Sequence, residues 1–286
     1  SKSGRSGKPR MLIVDAQVHI WAANTPERPW PARHAPHRPV PLGREELLKE
    51  MDAAGVDRVV IVPPSWEGER NDLALAAAQA YPDRFAVMGR LDPEKQEARS
   101  SIPGWRKQPG MLGLRFTFHR PGLMELLTEG RVDWLWPAAE KAGLPIMVLA
   151  PHALAHLIAN IAQRHPRLKI VMDHLGLMAG KDREVFSEFD RFLALARQPN
   201  IAAKASCLPA FTADTYPYRR LHPYIRRVYD AFGPKRIFWG TDLSRLPCTY
   251  RQGITMFTEE LPWLTEEDKE WIMGRGVCEW LGWAVP

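Results

Sequence analysis

Short apolar segments alternate with helix-patterned ones along almost the whole chain, and this rhythm constrains the fold more than any other feature. The apolar segments fall at 14–21, 58–63, 85–92, 113–118, 145–150, 169–174, 200–206 and 236–242. Helical spacing of apolar residues predicts helices between them, at 44–54, 71–81, 97–107, 133–142, 153–164, 182–196 and 219–232. Two more helices near 253–260 and 266–273 and an amphipathic segment at 277–283 close the chain. Strands such as Arg58-Val59-Val60-Ile61-Val62 are apolar throughout, as expected when both faces are covered. Eight such units in 286 residues suit a (β/α)8 TIM barrel, which typically needs about 250 residues. An open doubly wound sheet is the competitor, but the glycine-rich turn that would follow its first strand is missing. The expectation is one barrel domain over 11–286, with 1–10 as a flexible basic arm.

That arm holds four basic residues, Lys2, Arg5, Lys8 and Arg10, most of the formal net charge of +6. The high isoelectric point is therefore no sign of nucleic-acid binding, and no basic stripe or zinc-finger spacing accompanies it. No apolar run approaches the roughly 18 residues of a membrane helix, and no secretory signal precedes the first strand. Cys207, Cys248 and Cys278 are too few and too scattered for a disulfide framework, so a reducing cytoplasm is expected. The Pro-rich stretch 22–41, with Trp30, His34 and His37, has no period and is long enough to be a functional cover. A homodimer through exposed tryptophans is compatible with the sequence.

The opening strand, Val14-Asp15-Ala16-Gln17-Val18-His19-Ile20-Trp21, is oddly polar for a core element. Period-two alternation places Asp15, Gln17 and His19 on one face, where burial is costly unless something pairs with them. Polar residues also terminate the later strands: Arg90, Arg115, His152, His174, Lys204 and Asp242. In a barrel these positions share the C-terminal rim, where catalytic groups from several strands converge. His19, His152, His174 and Asp242 are the candidate catalytic residues, because imidazoles and carboxylates move protons or bind metals near neutrality. Asp242 ends the last strand and faces His19 once the barrel closes, the position of a water-activating base. Asp173 is expected to point away from His174 in an orienting role. Cys207 lacks the neighbours that would make a nucleophile.

Four stretches carry a resemblance: VDAQVHIW at the start, APH at His152, VMDHLG around His174 and FWGTDLSR around Asp242. Together with the closing IMGRGVCEWLGW, the chain resembles the amidohydrolase superfamily, in the branch of pyrone dicarboxylate lactonases, sugar-acid lactonases and aromatic-acid decarboxylases. The resemblance implies a metal site from His19, His152 and Asp242, zinc being the expected ion, but the first histidine of the usual pair is Gln17 here. The similar pyrone dicarboxylate lactonases work without metal, so both a metal-free and a single-metal centre remain open. An amide oxygen is a poorer zinc ligand than imidazole.

The rest of the rim is basic and aromatic. Arg115, Arg90, Lys204 and Arg245, with Arg70, His119 and Arg120, would hold a small anionic substrate through guanidinium–carboxylate geometry. Trp21, Trp66 and Trp239 would give a ring flat apolar surfaces. The resulting expectation is a hydrolase opening a small cyclic ester, with an amide or related carbonyl compound as the secondary substrate class. Asp242 activates water, and His174, His152 or a metal stabilises the developing oxyanion. Two rivals stand beside it: a metal-dependent non-oxidative decarboxylase on the same scaffold, and a non-catalytic barrel that binds a small anion.

Overall fold

The computed structural model describes residues 10–32 and 36–286. The arm expected at 1–10, apart from Arg10, and His34 lie outside the described residues. Eight parallel strands lie in sequential order: β1 Val14–Val18, β2 Arg58–Ile61, β3 Phe85–Gly89, β4 Met111–Thr117, β5 Ile146–Leu149, β6 Ile170–Met172, β7 Ile201–Ser206 and β8 Ile237–Gly240. Helices cover the outside, and β8 returns to β1, which makes the nearly closed (β/α)8 barrel that the alternation predicts. No helix among the described residues is long and apolar enough to cross a membrane.

Strand alternation divides the core in two. One set of positions, including Val59, Ile61, Val87, Val148 and Trp239, packs outward into the large cluster shared with the helices. The other set, with Ala16, Val60, Ala86, Met147, Ala202 and Phe238 among its members, draws on every strand and fills the barrel's lower interior. Val277, Cys278 and Leu281 of the last helix, Gly276–Leu281, join this second cluster. The apolar floor explains why polar groups on the same inward positions appear only higher up: Ala202 belongs to it, and Lys204 and Ser206 follow at period two.

Most expected helices form within a few residues of their predicted limits, and Arg44–Ala54 forms as read. The stretch 182–196 does not form one helix. It breaks into Asp182–Val185 and Phe189–Leu193, followed by a 3-10 turn, and at the break Phe186 lies flat against Tyr224 (centroids 3.7 Å apart). The expected helix at 97–107 stops at Ser101, next to Pro103 and Gly104, which cannot sustain it. A short helix at Met124–Thr128 was not anticipated.

The opening strand also departs from simple alternation. Its register against β2 shifts between Asp15 and Val18, a bulge-like irregularity. Ala16 belongs to the inner cluster, yet Gln17 and His19 both line the cavity at the barrel mouth. Asp15 is therefore not on their face. It sits at the seam with β8 and accepts from Thr241 N (2.9 Å), Thr241 Oγ1 (2.5 Å), Tyr250 Oη (2.7 Å) and Gln17 N (3.1 Å). Asp242 N donates to Gln17 O across the same seam (2.9 Å). A carboxylate thus does part of the joining work of a strand ladder. Burial pushes its pKa up to about 6 despite these four donors.

Replacing Tyr250→Phe removes one hydrogen bond to this buried carboxylate. Urea unfolding should show a loss of about 1.5–3 kcal/mol; an unchanged midpoint would remove the seam from the stability account.

Candidate active site

The barrel mouth opens into a cavity of about 400 Å³, lined by groups from β1, β4 and β5 and from the segments that follow the strands, including the turns after β6 and β8. Asp242 lies at its base, 1% exposed. The chain reverses sharply after β8, giving Asp242 a left-handed backbone (φ 51°), and Arg245 N closes the turn on its carbonyl (2.8 Å). Its Oδ1 lies 3.4 Å from His19 Nε2, and Oδ2 lies 3.9 Å from His174 Nε2 and 3.6 Å from Arg245 Nη1. Oδ1 is buried with no hydrogen-bond partner among the described residues.

His19 is oriented by its other ring nitrogen, which is 2.6 Å from Val62 O. A carbonyl only accepts, so Nδ1 carries the proton and Nε2 presents a lone pair. His174 reaches the mouth by a strained path. It, Leu175 and Gly176 have consecutive left-handed conformations (φ 53°, 53° and 68°), which cost roughly 1–2 kcal/mol for each residue with a Cβ. Gly176 is required, since an added Cβ would come within 2.8 Å of the His152 ring. Ser206 holds His174 Nδ1 through Oγ (2.7 Å).

Charge states follow from this burial. Desolvation brings His19 down to about 4 and His174 to about 3, so both rings are neutral at physiological pH. Burial opposes ionisation of Asp242, but the charges that His19 and His174 carry at low pH, together with Arg245, overcome it, and the carboxyl falls to about 2. At neutral pH, Asp242 Oδ1 and His19 Nε2 are two acceptors facing each other. His19 Nε2 has the Gln17 amide nitrogen at 3.4 Å, and Asp242 Oδ1 is left to accept from a hydrogen donor such as water.

Beneath the mouth lies a layer of buried charge. Asp173 accepts from Arg115 Nε (2.9 Å) and pairs with Lys204 Nζ (2.9 Å), all three being 4% exposed or less. Lys204 also donates to Gln17 Oε1 (2.6 Å). Burial lowers the Lys204 ammonium to about 8, which leaves it charged at neutral pH. Arg90 donates to Pro63 O (2.7 Å), while its Nη2 is buried without a partner among the described residues, and burial, then Arg115, brings it down to about 9.

The structure brings together His19, His174, Asp242, Arg90, Arg115, Arg245, Trp21 and Trp66, all of which line the cavity, as do His119 and Arg120. It does not bring the others. His152 faces away: its Nε2 donates to Leu175 O (2.9 Å) and its ring packs on Phe189 and Phe192. It braces the strained turn that carries His174. Lys204 is fully buried under Gln17, where it cannot touch substrate. Trp239 turns outward and donates to Gly253 O, and Arg70 donates to Glu27 O at the surface. Asp173 is not the residue that points away: it lies inside the barrel, and the left-handed turn swings His174 to the mouth.

The sequence reading expects the Pro-rich stretch with His37 as a cover but gives no site role to Ser206, Pro36 or His37 themselves. Ser206 shares the Lys204 face at period two, a signal that was available. His37 and Pro36 line the cavity from the Pro-rich loop, whose base is fastened by the Trp21–Leu42 bridge. His37 is held by Ser244 Oγ (2.8 Å), a contact spanning most of the chain and so invisible locally.

The metal set of His19, His152 and Asp242 is not assembled. His152 is turned into the aromatic cluster, and Gln17 spends its oxygen on Lys204, leaving a donor toward the site. No group of three His, Cys, Asp or Glu side chains among the described residues has an arrangement that would hold a metal ion. A catalytic zinc normally takes three protein ligands, so these residues do not fit one.

Comparison with known proteins agrees with this geometry in its broad terms. The family model described as Amidohydrolase matches residues 14–275. The L-fucono-1,5-lactonase of Burkholderia ambifaria is 28% identical over 82% of this chain and 81% of its own length. A 4-sulfomuconolactone hydrolase of Hydrogenophaga intermedia is 26% identical over 69% of this chain and 64% of its own. An amidohydrolase from Burkholderia multivorans, solved with bound zinc, superposes with a TM-score of 0.80 at 18% identity, covering 95% of this chain and 99% of its own. With a family match spanning every barrel strand, and with Asp242, His19 and His174 gathered at the mouth, the chain belongs to the amidohydrolase family.

Proposed function

We propose that this protein hydrolyses the ring ester of a small lactone carrying an anionic group, with Asp242 as the base that activates water. The observation that carries the reading is the ionised, buried Asp242 Oδ1, which lacks a hydrogen-bond partner among the described residues at the base of a cavity whose other charged lining groups are cationic. In the forward step, water oxygen attacks the lactone carbonyl carbon as Asp242 takes its proton. The carbonyl π pair moves onto oxygen. Collapse of the adduct breaks the ring C–O bond, and Asp242 returns the proton to the leaving alkoxide, giving a hydroxy acid. A carboxylate of low pKa is a weak base in water, but one fixed beside the nucleophile gains from proximity and avoided reorganisation.

Arg90, Arg115 and Arg245 give the wall its positive character, and such walls draw anions inward. The Nη2 of Arg90, without a hydrogen-bond partner among the described residues, is a donor left for a substrate anion. Trp21 and Trp66 offer flat surfaces to a ring, and Pro36 and His37 cover one side. The relatives named as lactonases support the same chemistry. Three cysteines kept as free thiols suit work in a reducing cytoplasm.

Turnover is tested by acid release from L-fucono-1,5-lactone and 4-sulfomuconolactone, with the sulfonated ring expected to be preferred and no carbon dioxide evolved. Asp242→Asn should lower kcat at least about 10³-fold while product affinity and melting temperature hold; near-normal turnover would sink the assignment. The pH profile follows from the same groups. Asp242 stays ionised and His19 stays neutral above about 4, while Lys204 and Arg90 give up their charge only near 8 and 9, so kcat/KM should be level between mildly acidic and neutral pH and fall as His19 gains a proton near 4. An acid limb centred near neutrality would contradict this assignment of charge states.

A further inference from the structure

We propose that the Gln17 side-chain amide N–H receives the oxyanion formed during lactone opening, and that buried Lys204 aims and polarises this amide. The inference rests on the lactonase reading and names a group that reading leaves out.

The argument begins with the orientation of the amide. Lys204 Nζ has only donors, so the Gln17 atom 2.6 Å away is its oxygen. The NH2 therefore points the other way, where its nitrogen is 3.4 Å from His19 Nε2. That nitrogen carries the lone pair, because His19 Nδ1 gives its proton to Val62 O. Donors thus run in one direction, from Lys204 to Gln17 to His19 to Val62. Flipping the amide would set its NH2 against the ammonium and its oxygen against the imidazole lone pair. The direction is locked.

An amide NH2 has two hydrogens. One serves His19 Nε2, and the other is left for the cavity that Gln17 lines beside Asp242. Charge at the amide oxygen makes the N–H a stronger donor, since linked hydrogen bonds polarise one another in a low-dielectric interior. The ammonium that does this is itself anchored by Asp173 at 2.9 Å and by Met147 Sδ at 3.2 Å, with no exposed surface. Other candidate donors are less suited. His19 Nε2 has no proton to offer, and the arginines of the wall, Arg115 among them with its Nε on Asp173, serve the anionic group of the substrate in the lactonase reading.

The chemistry balances without a further reactant. As water adds to the carbonyl carbon and Asp242 takes the proton, the electron pair of the breaking C=O π bond settles on oxygen. The Gln17 N–H stabilises that charge by hydrogen bonding and transfers no proton. When the ring C–O bond breaks, the carbonyl re-forms and the amide returns to its resting partners. Gln17 is then a catalytic residue, and Lys204 a positioning residue that acts through it.

The test is steady-state kinetics on whichever of the two lactones the enzyme opens, for Gln17→Met, Gln17→Glu, Gln17→His and Lys204→Met. Loss of one oxyanion donor lowers kcat by about 100-fold or more, so Gln17→Met and Gln17→Glu should show this with little change in KM. Gln17→His should recover part of the rate through a ring N–H, and Lys204→Met should fall between wild type and Gln17→Met. A cyclic phosphonate that mimics the tetrahedral adduct should lose affinity in step with kcat, while affinity for the hydroxy-acid product stays level. Gln17→Glu keeps an acceptor for Lys204, so it decides the matter if Gln17→Met fails to fold. Normal kcat in a folded Gln17→Glu, or product affinity falling as far as kcat, would overturn the inference. Asp242→Asn run alongside separates the two claims. A dead Asp242 variant with a normal Gln17→Glu removes only the amide's role, whereas an active Asp242 variant removes the water-activation reading itself.

Discussion

The site depends on one buried carboxylate that is not at the mouth. Asp173 pairs with both Arg115 and Lys204 beneath the cavity, and neither cation has solvent to fall back on. Burying charge is tolerable only when it is paired, and removing one partner from such a cluster typically costs about 3–5 kcal/mol. Through Lys204 the pair fixes Gln17, and through Gln17 it bears on His19. Through Arg115 it fixes part of the cationic wall. Two of the buried carboxylates differ in their surroundings: Asp173 is paired with cations, and Asp242 keeps an oxygen with no hydrogen-bond partner among the described residues.

Strain is concentrated just above this layer. Left-handed residues with side chains follow three successive strands: His174 and Leu175 after β6, Cys207 after β7 and Asp242 after β8. Each reversal aims a side chain or carbonyl that straight strand geometry would direct elsewhere. Each is also tied down, by His152 on Leu175 O, Cys207 N on Gly240 O and Asp242 N on Gln17 O. Such conformations persist only where the surroundings over-determine them, and they gather at functional sites. The seam at Asp15 belongs to the same economy, since it holds β8 against β1 where Asp242 and His19 must meet.

Much of this was legible in the sequence, for identifiable reasons. Strand and helix periods are local, so the barrel and the rim positions of His19, Arg90, Arg115, His174 and Asp242 could be read directly. What failed was anything that depended on a break in period. The bulge in β1 separates Asp15 from Gln17 and His19, and a left-handed turn exchanges the expected directions of Asp173 and His174. His152 had the right residue type at the right strand end. Whether it meets Asp242 or two phenylalanines from a later helix is decided by tertiary packing. Gln17 was legible as a departure from the family pattern, but its meaning needed Lys204, which is 187 positions away.

The central claim is that Asp242, set beside neutral His19 and the locked Gln17 amide, activates water with the chain's own groups. The donor set points the same way, because the oxygen of Gln17 is taken by an ammonium and His152 is turned aside. The most direct measurement is kcat/KM for lactone opening before and after exhaustive chelation, with metal content determined on the same samples. The account predicts an unchanged value in protein free of stoichiometric metal. Activity that disappears on chelation and returns with one equivalent of zinc would contradict it.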